Sequence, residues 1–148
     1  MTEYHSILAA VDLSPAAEAV CQRAAELSAR YGAQLTVLYV AEYIPPLDIA
    51  YEPITPSEWM VDEDVLVKRA TESLQALMEK LAITHATQLV RLGVPKQMIL
   101  DTAKEQQVDL IVLGSHGRHG IGRLLGSTAD NILHHAECDV LAVRIKDE

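Results

Sequence analysis

The residue types most able to do chemistry crowd into one stretch of this 148-residue chain. Residues 114–128 read Gly-Ser-His-Gly-Arg-His-Gly-Ile-Gly-Arg-Leu-Leu-Gly-Ser-Thr, and five of the seven glycines (Gly114, Gly117, Gly120, Gly122 and Gly126) fall within thirteen positions. Lacking a Cβ, a glycine lets its backbone N–H approach a phosphate directly. Ser127 stands where a helix is expected to begin, at the positive end of the helix dipole and among unpaired N–H groups. Phosphate binding is the direct physical reading. The stretch is neither G-x-x-x-x-G-K-S/T nor a G-x-G-x-x-G after the first strand, so the usual P-loop and dinucleotide fingerprints are absent.

The same stretch holds Arg118, Arg123, His116 and His119 and no acid up to Ser127. The two arginines either reach phosphates or only solvate the loop. His116 and His119 have an H-x-x-H spacing, but no cysteine or carboxylate accompanies them within the loop, so a polar loop is expected and no metal site. Asp12, at the end of an apolar run, either binds a ligand or serves as a carboxylate near a helix start. His134 and His135 are expected to close a helix, where positive charge complements the dipole. There is no G-x-S-x-G elbow, no cysteine in a nucleophile setting, and no paired carboxylates at strand ends beyond Asp12. An enzyme is therefore not expected, and turnover of any phosphate ester bound there would be slow and incidental.

Composition narrows the partners. Hydrophobic residues make up 49% and charged residues 22% of the chain, as in ordinary soluble domains, and the length suits one domain over residues 1–148. The net charge of −9 would repel a phosphate backbone or an anionic membrane, which argues against nucleic acid and membrane partners. Seven acids and no Lys or Arg lie in residues 42–64, so the basic island after residue 114 points to a small anionic ligand. No apolar run is long enough to span a bilayer, and Asp12 comes too early for a secretory signal; a cytoplasmic location is expected. Cys21 and Cys138, too few for a disulfide framework, read as reduced, buried packing residues.

The elements that must position these groups alternate in type. Residues 7–11 form an apolar run that reads as a buried strand, with Ser14 as N-cap and Pro15 at the first position of a helix that Gly32 stops. Residues 35–40 read as a second strand. Pro45, Pro46, Pro53 and Pro56 make residues 42–57 a long surface loop of functional length. Helical spacing resumes through Val61, Val65, Leu74, Leu77, Met78 and Leu81, followed by a weaker strand around residues 84–91. Gly93 and Pro95 open a third helix, residues 108–113 form a fourth strand, Gly126 and Ser127 start a fourth helix ending near Ala136, and residues 139–143 form the last strand. Buried strands alternating with helices predict an α/β doubly wound open sheet of five parallel strands, order 3-2-1-4-5, with helices on both faces, Rossmann-like in kind. Ligands of such sheets bind beyond the carboxyl ends of strands where the winding reverses, which brings the strand ends at Asp12 and Gly114 to one crevice. The fifth strand lies at an edge, and its apolar residues 140–143 predict a homodimer made through it.

Over essentially its whole length the chain resembles the universal stress protein family. The resemblance rests on Ala10-Val11-Asp12-Leu13-Ser14-Pro15, on Leu38-Tyr39-Val40, on the run from Val108 to Gly117, and on Cys138-Asp139-Val140-Leu141-Ala142-Val143. The ATP-binding branch carries G-x-x-G, nine residues, then G-S/T; Gly114, Gly117, Gly126 and Ser127 match, with eight residues between Gly117 and Gly126 and with Gly120 and Gly122 available to absorb the difference. The resemblance implies a cytoplasmic stress-response or signalling protein that binds an adenine nucleotide, ATP foremost, with or without Mg. It places Ala10, Val11 and Asp12 at the base and ribose end, Val40 against the adenine through its backbone, and Gly114, Gly117, Gly126 and Ser127 on the phosphates. His116, Arg118 and Thr128 complete the candidate nucleotide-binding set. Members without the glycine motif share the first segment, so the alternative is a nucleotide-free dimeric interaction or chaperone-like stress protein with an unknown protein partner.

Overall fold

A computed structural model of the chain describes residues 3–42, 63–115 and 126–144. In chain order the elements are β1 (Ser6–Val11), α1 (Ala16–Tyr31), β2 (Gln34–Glu42), α2 (Glu63–Lys80), β3 (Thr87–Gly93), α3 (Pro95–Glu105), β4 (Leu110–Gly114), α4 (Ser127–His135) and β5 (Asp139–Val143). They build one five-stranded sheet in the order β3-β2-β1-β4-β5, parallel at every pairing. The expected order is observed. Register sets the carboxyl ends of the central strands side by side, with Val11 opposite Tyr39 and Gly114 opposite Val143.

Strand residues that look uniformly apolar in the sequence divide by the two-residue period of the strand. Ile7, Ala9, Val11, Leu35, Val37, Leu110 and Val112 enter one core with Val20, Cys21 and Ala24 of α1 and Leu74 and Met78 of α2. Leu8, Ala10, Leu38, Val40, Ile111 and Leu113 enter the other with Ile99 and Ala103 of α3 and Ala129 and Ile132 of α4. Both sheet faces are thus covered, the reason these strands lack polar alternation.

Helix ends depart from expectation in informative ways. Pro15, not Ser14, occupies the N-cap of α1, and the helix starts at Ala16; the Ser14 hydroxyl still accepts the Ala16 N–H at 3.3 Å. Gly32 does end α1 in the left-handed region, and its N–H and that of Ala33 both return to the Ser28 carbonyl. α2 closes the same way without a glycine: Ala82 takes φ 57°, donating to Glu79 while Ile83 donates to Met78. Gln107, at φ 52°, does so for α3. These left-handed endings satisfy carbonyls that the helix leaves open.

β3 begins at Thr87 and runs to Gly93, three residues later than the expected start and two beyond the expected end. Gly93 ends the strand instead of opening α3; Val94 is the N-cap and Pro95 the first helical residue. The hydrogen-bonded partners Ala41 and Glu42 of β2 carry the strand to that point. Cys21 is buried, whereas Cys138 is only partly so, which corrects the expectation of two buried cysteines; both are free thiols. Burial pushes the Cys21 thiol up to about 12, in keeping with a packing role. His135 Nδ1 donates to the Asn131 carbonyl, 2.9 Å away, and His134 lies 3.4 Å from Asp130, both at the end of α4 as expected. The proline-rich loop of residues 43–57 and the loop centre, residues 116–125, lie outside the described residues. No helix among the described residues is long and apolar enough to cross a membrane.

Candidate functional site

A cavity of about 440 Å³ opens beyond the carboxyl ends of β1, β2 and β4. Its location follows from topology: the chain winds from β1 outward through β2 and β3, then returns to β4 on the other side of β1, so the helices on the two faces part above this point. Ala10 and Val11 line it from β1, Asp12 from the turn that follows, Val40 from β2, Gly114 from β4, and Gly126, Ser127 and Thr128 from the start of α4. Eight of the eleven candidate residues are therefore brought together. The other three, His116, Gly117 and Arg118, lie outside the described residues.

The lining is chemically mixed. The Asp12 carboxylate caps the turn after β1: its Oδ1 accepts the Ser14 N–H at 3.0 Å. Glu42, at the end of β2, is a second acidic residue in the lining. α4 begins at Ser127 with Gly126 as N-cap and no side chain satisfying the cap. The first-turn N–H groups of a helix have no intrahelical acceptor, and they carry the positive end of its dipole. Gly126 has φ −65° and ψ 155°, a conformation open to any residue, so its own backbone does not call for glycine.

The ends of the glycine-rich segment are held together by the backbone. Gly126 donates to the Ser115 carbonyl at 2.7 Å, and Ser115 donates to the Val143 carbonyl at 2.9 Å. The segment thus leaves and re-enters the fold at one place, beside the cavity. No lysine or arginine lines the cavity among the described residues. Among the same residues no group of three or more His, Cys, Asp or Glu is arranged to hold a metal ion.

The sequence reading missed the walls contributed by the other helices. Leu66 of α2, Pro95 and Ile99 of α3, and Ala16, Ala17 and Val20 of α1 also line the cavity. Every helix of a parallel α/β sheet starts near the carboxyl end of the preceding strand, so the first turn of each predicted helix was the available signal.

The fold and its cleft define a doubly wound α/β protein with its ligand-sized opening at the switch point. The chain belongs to the universal stress protein family, whose sequence model matches residues 3–144. It is 42% identical over 147 residues to universal stress protein A homolog 2 of Coxiella burnetii, covering 99% of each chain. Among solved structures, universal stress protein UspA from Lactobacillus plantarum superposes with a TM-score of 0.75 at 32% identity, covering 99% of this chain and 100% of that one. A universal stress protein in complex with cAMP superposes with a TM-score of 0.62 at 23% identity, covering 96% and 98%; this likeness is one of fold.

Proposed function

We propose that the cleft binds an adenine nucleotide, ATP foremost, with or without Mg, and that the chain is a cytoplasmic stress-response or signalling protein folded as one domain over residues 1–148. The observation that carries this reading is the cavity itself, lined both by the carboxylate that follows β1 and by the uncapped start of α4. A nucleotide has matching ends: hydroxyls and a base that pair with Asp12 and with the backbone at Val40, and phosphates suited to helix N–H groups and a glycine loop. His116, Gly117 and Arg118 complete the proposed phosphate-binding set by their place in the glycine-rich sequence. The cAMP complex of a family member supports an adenine nucleotide as the ligand class. The proposed role is binding rather than turnover, with phosphate release from ATP far below the roughly 10 s⁻¹ median of enzymes.

The second reading is a nucleotide-free interaction or chaperone-like protein that works as a homodimer through β5. Val140, Leu141 and Ala142 on that edge strand are half-exposed, which favours a covering partner. Mass spectrometry of the small molecule released from freshly purified, denatured protein separates the two. An adenine nucleotide in stoichiometric amount supports the first; the second takes over if none is released and millimolar ATP, ADP and AMP produce neither heat in a titration nor thermal stabilisation.

A further inference from the structure

Among the described residues three that are not glycine hold a positive φ: Leu13, Ala82 and Gln107. Ala82 and Gln107 close helices and are accounted for by the carbonyls they satisfy. Leu13, at φ 61°, closes nothing. It stands between β1 and α1, at the lip of the cleft, in a region that leucine rarely enters. Strained backbone of this kind persists only where its surroundings enforce it, and it gathers at functional sites.

The enforcing contact is apolar. The Leu13 side chain packs against the core formed with α1 and α2. With that side chain anchored, the left-handed turn carries the Ser14 N–H back to Asp12 Oδ1 at 3.0 Å, and the Ser14 hydroxyl and carbonyl accept the N–H groups of Ala16 and Ala17. One oxygen of Asp12 is thereby committed to the turn. Oδ2 has no hydrogen-bond partner among the described residues, and Asp12 lines the cavity.

We propose that Leu13 is a positioning residue for sugar selectivity: its half-buried side chain, packed on the core, holds a left-handed turn that presents the second oxygen of Asp12 to the hydroxyls of a bound ribonucleotide, which Leu13 itself does not touch. The inference rests on the nucleotide reading of the cleft. A carboxylate presented to the ribose diol distinguishes ribose from a sugar lacking both hydroxyls by about tenfold or more, the usual worth of a hydrogen bond to a charged group.

The test compares ATP with 2′,3′-dideoxy-ATP by calorimetric titration of the full chain and of three variants. Leu13→Gly accepts the left-handed turn but lacks the anchor, Leu13→Ala lacks the anchor and disfavours the turn, and Leu13→Met keeps an apolar anchor. Wild type and Leu13→Met are expected to prefer ATP, while Leu13→Gly and Leu13→Ala lose the preference by weakening ATP alone. A ligand-free measurement accompanies this: exchange of the Ser14 amide, whose acceptor is Asp12, quickens in Leu13→Gly but not in Leu13→Met, with the amides of α4 unchanged. A merely structural role for Leu13 would weaken both ligands equally, and that result overturns the proposal, as does an unchanged Ser14 amide in Leu13→Gly. Wild type that binds both nucleotides alike overturns the Leu13 assignment alone. Wild type that binds neither overturns the nucleotide reading, and the sugar selectivity falls with it.

Discussion

Replacing Gly126 by valine separates what the fold requires from what the ligand requires. Gly126 is the N-cap of α4 at φ −65° and ψ 155°, a β-region conformation in which valine is at ease. No backbone strain is introduced. Valine is a poorer N-cap than glycine, which sets the expected cost to the ligand-free protein at about 1 kcal/mol, or about 2–4 °C in Tm for a chain of this size. The ligand-linked effect is larger. At a nucleotide concentration 100 times Kd, binding to the folded state alone adds about 2.7 kcal/mol, which corresponds to a rise of about 5–10 °C for wild type. The valine side chain would enter the cavity wall beside Ser127 and Thr128, where phosphates are proposed to meet the start of α4, and should abolish that rise. Differential scanning fluorimetry with and without ATP, backed by titration calorimetry, gives both quantities from one set of samples. A valine variant that retains the full ligand-induced rise refutes the placement of the phosphates at α4, and one that loses far more than 4 °C before any ligand is added shows that glycine serves the fold.

Three further outcomes are expected. Gly32→Ala should lower stability by about 1–2 kcal/mol, since φ is +65° and an added Cβ meets nothing within 4 Å, leaving the left-handed backbone as the whole cost; chemical denaturation checks it, and an unchanged midpoint would contradict it. The Tyr4 hydroxyl donates to Asp139 Oδ2 at 2.7 Å, and this bond first, then desolvation and the nearby negative charge, pushes the phenol up to about 12. The folded state thus holds this proton more tightly than the unfolded chain, so the stabilisation is complete below pH 10 and fades as pH rises towards 12; phenolate absorbance should lose its late-titrating component in Tyr4→Phe, and all tyrosines titrating together near 10 in wild type would be the contrary result. The homodimer proposed through β5 should sediment at twice the chain mass, and Val140→Lys, at a half-buried position against the core of α3 and α4, should return it to one, whereas Val143 is a poor site for such a test because it is buried in the other core; an unchanged mass for folded Val140→Lys places the interface elsewhere.

Sequence alone determined the class of fold, because the information is local and repeated. Apolar runs without polar alternation at residues 7–11, 35–40 and 108–113 can be buried only between two layers of helices, and helices placed between such runs force parallel strands. The cleft was legible at Asp12 and at the Gly126-Ser127 start of α4, since a strand end and a helix start are read from a few neighbouring residues. What the sequence could not assign was which core each strand residue enters, because Leu8 and Ala9 are equally apolar and only the pleat sends them to opposite faces. Nor did it show how α2 and α3 end. Ala82 and Gln107 have no intrinsic taste for the left-handed region, and they adopt it because Ile83 and Val108 must be buried and the helix carbonyls must be satisfied. The same holds at Leu13, where a leucine takes a glycine's conformation because its side chain finds the core. Leu66, Pro95 and Ile99 reach the cleft through tertiary packing that joins residues far apart in the chain, and no spacing within a single segment encodes that meeting.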